Sequence, residues 1–81
     1  MPEGTEPAES LPLKTRAFAA LGCALALRRE DDIRCHVAEC LRASATAEEI
    51  MEVLRLATVM AECPGDRYRA IIQEAIDAFD R

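Results

Sequence analysis

The chain has 81 residues, a formal net charge of -5 and a hydrophobic content of 51%. Its length fits one small domain, and its apolar content is too high for a disordered chain. Lysine and arginine are scattered and outnumbered by acids, which argues against nucleic acid as a partner. The longest uncharged run, residues 17–27, is shorter than the roughly 20 residues that a membrane-spanning helix needs, so no membrane partner is expected.

Residues 1–9 contain two prolines, one glycine and three glutamates, which predicts a flexible tail. This segment has neither the basic start nor the apolar run of a secretory signal. The four cysteines are therefore expected to be reduced, in a cytoplasmic protein. Residues 10–81 are expected to form a single helical domain.

The first helix is predicted to start near Ser10, a good helix cap, with Pro12 in its first turn. It is expected to run through residues 14–29, whose centre is apolar on all sides. A helix of this kind is buried on more than one face, and one short chain has little material to cover it. We therefore expect a homo-oligomer, in which Gly22 and Ala24 permit close helix contact.

Three further helices are predicted from apolar residues at helical spacing. The second covers about residues 31–43, and the third opens with the reciprocal capping pattern of Thr46 and Glu49. Residues 62–66 separate it from a fourth helix over about residues 66–79. No segment alternates with the period of a strand, so the predicted fold class is all-α. The residues expected to face inward are Ile33, Val37, Cys40, Leu41, Ile50, Val53, Leu54, Ala57, Met60, Tyr68, Ile72, Ala75, Ile76 and Phe79.

Residues 11–60 resemble the carboxymuconolactone decarboxylase and alkylhydroperoxidase D (AhpD) family. The family pattern reads K-T-R-E, an apolar helix, C-x-x-C-x-x-x-H, then A-G-A-T-x-E-E-I. This chain has KTR at 14–16, an apolar helix, His36, and ASATAEEI at 43–50, in the same register without gaps. The resemblance implies a small AhpD-like helical domain of about four helices, assembled as a dimer to a hexamer. It also implies that residues 29–36 lie near a subunit interface.

Family members with both cysteines reduce peroxides: the second thiolate attacks, the first resolves, and the histidine and glutamate move protons. Other members decarboxylate a lactone without the thiol pair. In this chain the cysteine positions hold Arg29 and Asp32, and the glutamate position holds Ala17. Only His36 is kept, so the resemblance implies that dithiol peroxidase (peroxiredoxin-type) activity is lost. Ser44 stands at the glycine of A-G-A-T, which implies a strained helix end.

The residues around His36 allow more than one chemistry. Asp32, His36 and Cys40 are spaced four and four, so they share one stripe of the helix, and His36 is placed to activate the Cys40 thiol. The same residue types ligate zinc, but the chain has no second histidine, and neither a metal nor a cofactor is expected. Cys35 is expected to be exposed beside His36, which makes it a candidate for a reactive thiol, although the pKa that decides reactivity cannot be read from the sequence. On an intact helix it lies too far from Cys40 for a disulfide.

Three functions stay open at this point. The first is an enzyme whose decarboxylation, isomerisation or other proton transfer rests on His36 and Asp32. The second is a thiol antioxidant that uses Cys35 or Cys40. The third is a non-catalytic homo-oligomer that binds a partner or a small-molecule ligand, in which Cys40 is a packed core residue and His36 only a hydrogen-bonded one.

Two further cysteines and a run of acids have ordinary structural interpretations. Cys23 and Cys63 are read as packing and loop residues. Residues 30–32 are acids that offset the positive end of a helix. If Asp32 is buried, it needs a partner, for which the candidates are Arg29, Arg34 and His36.

Overall fold

The computed structural model describes residues 11–80, which form four α-helices connected by short turns. The helices are α1 (Leu13–Leu27), α2 (Glu30–Arg42), α3 (Ala47–Ala61) and α4 (Gly65–Phe79). Residues 11–80 contain no strand, which confirms the prediction of an all-α fold. The predicted tail at residues 1–9 and the predicted cap at Ser10 lie outside the described residues.

The first helix is shorter than predicted at both ends. It begins at Leu13, and Pro12 is its cap residue instead of a member of its first turn. It ends at Leu27 because Arg28 adopts a left-handed conformation with φ 60°. The backbone N–H of Arg28 then donates to a carbonyl of the last turn, which closes the helix end.

The connection between α2 and α3 follows the family pattern in its cap and departs from it in one residue. Ser44 has φ 72°, as expected for a residue that replaces the glycine of a left-handed helix end. The capping box is confirmed: Glu49 N–H donates to Thr46 Oγ1 at 3.0 Å, and Thr46 N–H donates to Glu49 Oε1 at 2.9 Å. Glu49 also pairs with Lys14 at 3.0 Å, which ties the start of α3 to the start of α1.

The helices pack in the cyclic order α1, α2, α4, α3, so each helix has two main neighbours. The core between them is apolar, and burial of this surface drives folding. Most of the residues that were expected to face inward do so. The buried core residues are Ala17, Leu21, Ala24, Leu25, Ile33, Val37, Cys40, Ala45, Ile50, Leu54, Ala57, Cys63, Tyr68, Ile71, Ile72 and Ile76.

The prediction of an inward-facing side chain is wrong for two residues. Met60 is 81% exposed, because it follows Leu54 by six residues and so lies about 120° from it around α3. Phe79 is 41% exposed, because it is the last residue of α4 and stands at the edge of the core. Cys23, expected to be a packing residue, is exposed on α1, whereas Cys63 is a buried residue of the α3–α4 loop.

An apolar surface runs between α1 and α3 on the outside of the molecule. We call it the α1–α3 surface; its residues include Phe18, Gly22, Val53, Leu56 and Met60. Leu56 is 60% exposed there, next to the exposed Met60. Ala24, by contrast, packs inside the core of this chain. Within residues 11–80 no helix has the length and hydropathy needed to span a membrane.

Candidate functional site

The two positions that hold cysteines in the family pattern are joined by an ion pair. Arg29 is the cap residue of α2 and Asp32 lies in its first turn. Arg29 Nε is 3.0 Å from Asp32 Oδ2, and both side chains are about half exposed or more. Of the three partners expected for Asp32, the structure thus selects Arg29, and the carboxylate is not committed to His36.

His36 forms its hydrogen bond one turn further along α2, with Glu39. His36 Nδ1 lies 2.7 Å from Glu39 Oε1, and the His36 side chain is 27% exposed. An ionised carboxylate only accepts hydrogen bonds, so Nδ1 carries the proton and donates. In the neutral ring this leaves Nε2 as the proton acceptor.

Sequence reasoning missed Glu39, because the search for partners of His36 followed the spacing of four. Side chains three apart on a helix also meet, so the H-x-x-E spacing of residues 36 and 39 was the available signal. A histidine bonded to a carboxylate can pass protons, which makes the pair the centre of the candidate site.

A groove between the start of α1 and the end of α2 adjoins this pair. It has a volume of about 450 Å³, and we call it the α1–α2 groove. Its lining residues are Leu13, Arg16, Ala17, Ala20, Glu39, Arg42 and Ala43. Ala17 is the position that holds a glutamate in the family pattern. Glu39 therefore brings a carboxylate to the same groove from the neighbouring helix.

Two arginines also line the groove. Arg16 Nε is enclosed by protein and has no hydrogen-bond partner among the described residues. Arg42 lines the same groove from α2, and its side chain is exposed. The charged lining thus consists of two arginines and one carboxylate, which is shared with His36.

The model of one known family matches most of the chain. Residues 3–75 match the family model described as "Carboxymuconolactone decarboxylase family". This protein belongs to the carboxymuconolactone decarboxylase family. The match extends the resemblance over 11–60 in both directions and takes in most of α4. No curated protein and no solved structure matches the chain.

In this member of the carboxymuconolactone decarboxylase family, Cys40 is a core residue. Its side chain is fully buried in α2. Burial, followed by the nearby negative charge of Glu39, raises the pKa of the Cys40 thiol to about 11. The thiol stays protonated at neutral pH, and the hydrogen bond of His36 goes to Glu39. Both observations argue against Cys40 as an activated thiolate.

The other thiols and the acidic residues add little to the site. Cys35 is exposed on α2, as predicted, and Cys23 is exposed on α1. Among residues 11–80, no three His, Cys, Asp or Glu side chains are arranged to hold a metal ion. The candidate site therefore consists of His36, Glu39 and the α1–α2 groove.

Proposed function

We propose that this member of the carboxymuconolactone decarboxylase family is a proton-transfer enzyme that works without thiols. Its reaction is decarboxylation of a lactone, the chemistry that the family description names. The observation that carries the proposal is the 2.7 Å contact between His36 Nδ1 and Glu39 Oε1, with Glu39 on the wall of the α1–α2 groove. The chemistry rests on these two residues in place of His36 and Asp32.

The proposed step is a decarboxylation that ends in protonation of carbon. The bond between the substrate carbon and its carboxylate breaks, and carbon dioxide leaves. The electron pair stays on the carbon, which takes a proton from Glu39. The Glu39 carboxylate, ionised in the resting pair, receives that proton from His36 Nδ1 as Nε2 takes one from solvent. The ring then returns to its Nδ1–H form through solvent, so each turnover consumes one proton.

A catalytic role of the His36–Glu39 pair and a purely structural one differ in the size of the effects that they predict. A partly exposed ion pair three residues apart on a helix stabilises a protein by about 0.5 kcal/mol or less. A positioned general acid accelerates a reaction by roughly 100-fold or more. Loss of Glu39 should therefore reduce activity far more than it reduces stability.

The test is the release of carbon dioxide from carboxymuconolactone by the wild-type protein and two variants. Glu39→Gln and His36→Gln are each expected to lower the rate by roughly 100-fold or more. Glu52→Gln is the matched control, because Glu52 pairs with Arg55 at 2.7 Å across the same three-residue spacing, but on α3. No release by the wild type, or equal rates in Glu39→Gln and Glu52→Gln, would reject the proposal.

A second candidate function is a non-catalytic homo-oligomer, and the α1–α3 surface favours it. Leu56 and Met60, which are 60% and 81% exposed, are large apolar side chains on this surface, and exposed apolar patches often mark sites of protein association. A second copy of the chain is the proposed cover. This candidate predicts that His36→Ala leaves the association and the biological phenotype of the protein unchanged.

Sedimentation tests the association directly. Met60→Glu should shift the protein to a smaller species, because it places a charge in the contact. Ala70→Glu adds the same charge to an exposed position of α4 and should leave the species unchanged. A wild-type protein that sediments as a monomer would contradict this candidate.

A further inference from the structure

The α1–α2 groove carries positive charge that residues 11–80 do not balance. Arg16 and Arg42 line it, and within residues 11–80 neither takes part in an ion pair. Glu39 is the one acid of the lining, and its Oε1 is bonded to His36. Because the chain as a whole has a net charge of -5, this groove differs in sign from the protein that surrounds it.

Most other arginines of the described chain have an acidic partner. Arg69, on α4, also lacks an ion pair within residues 11–80, but it lies outside the groove, close to Glu48 and Glu52. The arginines that pair with an acid are Arg29, Arg34, Arg55 and Arg67. The groove therefore brings together two cations whose acidic partner lies outside residues 11–80.

Segment 1–10 joins the described chain at one end of this groove. It continues through Leu11 and Pro12 into Leu13, the first residue of α1 and a lining residue of the groove. Between Leu13 and Ala20 the groove follows α1 for about 10 Å, at 1.5 Å per residue. Segment 1–10 reaches roughly 30 Å when it is extended, so it is long enough to lie along the whole groove.

The composition of segment 1–10 complements the groove in charge. It contains Glu3, Glu6 and Glu9 and no lysine, arginine or histidine. Its prolines and its alanine are small apolar side chains, which suit the wall of leucine and alanine that α1 contributes. The family model matches from residue 3 onward, so most of this segment belongs to the same domain as the groove.

We propose that segment 1–10 docks into the α1–α2 groove of its own chain, with its glutamates held by the positive charge of Arg42 and Arg16. Arg42 is exposed and provides the direct contact, whereas Arg16 contributes its charge from the wall. Exposed charge pairs are weak, but a tethered segment has an effective concentration on the order of millimolar beside the groove. The docked segment covers Glu39 and acts as an inhibitory strap; this consequence alone rests on the proposed function.

Chemical cross-linking of the full chain tests the contact. Arg42→Lys places an amine in the groove, and a carbodiimide joins an amine to a carboxylate that touches it. Mass spectrometry is expected to find position 42 linked to Glu3, Glu6 or Glu9. Arg69→Lys is the matched control, since it places the same amine at an exposed position outside the groove. Absence of the link in Arg42→Lys, or an equal yield from Arg69→Lys, would overturn the proposal.

The same experiment contains a test of the fold and of the identity of the chain. Lys14 lies 3.0 Å from Glu49, so a link between these two residues is expected in every folded variant. Equal amounts of nitrogen-15-labelled and unlabelled Arg42→Lys protein are mixed before the reaction. Links within one isotope are expected. Links between the two isotopes would assign the segment to a second copy of the chain and overturn the proposal.

Amide resonances of the unmodified segment give an independent measurement. In 1 M sodium chloride the charge pairs are screened within roughly 3 Å, so the amides of Glu6 and Glu9 should shift as the segment leaves the groove. Arg42→Gln at low salt should move them in the same direction, and Arg69→Gln should not. Amides that respond neither to salt nor to Arg42→Gln would contradict the docking.

Turnover tests the strap separately from the docking. The full-length variant Glu3→Gln/Glu6→Gln/Glu9→Gln should lower the KM for the lactone severalfold and leave kcat unchanged, because the segment no longer competes with substrate. An unchanged KM would refute the strap. If the cross-link forms but the wild type releases no carbon dioxide, only the proposed function is refuted. If the release depends on Glu39 but no link forms, only the docking is refuted.

Discussion

Arg29 Nε and Asp32 Oδ2 lie 3.0 Å apart across the first turn of α2. These are the two positions at which the family pattern has its cysteines. The three-residue spacing of the cysteine positions is thus kept, but an ion pair joins the side chains that stand there. Because the pair is largely exposed, it stabilises the fold by less than about 1 kcal/mol.

The double variant Arg29→Cys/Asp32→Cys is expected to fold and to form a disulfide. Residues three apart at a helix start are within the usual disulfide span, and the helix N-terminus lowers the pKa of a thiol there. With His36 and Glu39 in place, the variant should gain dithiol-dependent peroxide reduction over the wild type. Intact thiols under oxidising conditions, with a native circular dichroism spectrum, would show that the scaffold does not present these positions as a pair.

The four cysteines should differ sharply in reactivity. Iodoacetamide is expected to label the exposed Cys23 and Cys35 in the folded protein and to spare the buried Cys40 and Cys63. For Cys40 the raised pKa, about 11, adds to its inaccessibility. Mass spectrometry of the labelled peptides gives the measurement. Rapid labelling of Cys40 in the native protein would contradict its role as a core residue.

The same thiols test the antioxidant alternative. A thiol antioxidant that uses Cys35 must lose a free thiol when the protein is treated with peroxide, and Cys35→Ser must abolish that loss. The structure gives Cys35 exposure but no second sulfur in bonding distance within residues 11–80, where all four thiols are free. We expect the thiol titre to stay unchanged; a titre that falls only when Cys35 is present would favour the alternative.

Ser44→Gly should stabilise the protein by about 1 kcal/mol. The left-handed φ of 72° is unfavourable for serine and easy for glycine, although glycine also gains freedom in the unfolded chain. Urea unfolding measures the difference. Thr58→Ser, a substitution inside α3 with no left-handed residue involved, is the control. A loss of stability in Ser44→Gly would refute the strain at this helix end.

Glu49→Gln should destabilise the protein at neutral pH and not in acid. The hydrogen bond from the Thr46 backbone N–H, and then Lys14, hold the pKa of Glu49 below its usual value of 4.5. A lowered folded pKa contributes stability above the unfolded value, and this stability is lost as the pH falls through the folded pKa. Urea unfolding measures the difference in the free energy of unfolding between the wild type and Glu49→Gln, with Glu48→Gln as the control. This difference should shrink as the pH falls. A difference that does not depend on pH would contradict the lowered pKa of Glu49.

Sequence reasoning was strongest where one local interaction decides the structure. Thr46 and Glu49 form the capping box that their spacing predicts, and the buried stripe of Ile50, Leu54 and Ala57 follows helical periodicity. The end of α1 could not be read in the same way, because Arg28 takes the left-handed conformation that glycine usually signals. Met60 was assigned to the buried stripe although it lies about 120° from Leu54 around α3, and it is exposed.

In the candidate site, too, local patterns predicted some features, and others depend on how the side chains and helices pack. His36 was placed by its register in the family pattern, and the exposed Cys35 by its position on α2. Glu39 was missed because His36 has neighbours both three and four residues away on the helix, and the sequence does not tell which of them it bonds. The side-chain rotamers decide, and in the structure they bring His36 to Glu39. The enclosed Nε of Arg16 depends on how α1 packs against α2, which no local pattern encodes.

The most direct test of the central claim, that Glu39 is the proton partner of His36, is the nitrogen-15 spectrum of the imidazole ring. At a pH where the ring is neutral, the account predicts a protonated Nδ1 that donates to Glu39 and an unprotonated Nε2. Glu39→Ala should shift the ring toward the Nε2–H tautomer, whereas Glu52→Ala should not. A wild-type ring already in the Nε2–H form, or one that Glu39→Ala leaves unchanged, would contradict the claim.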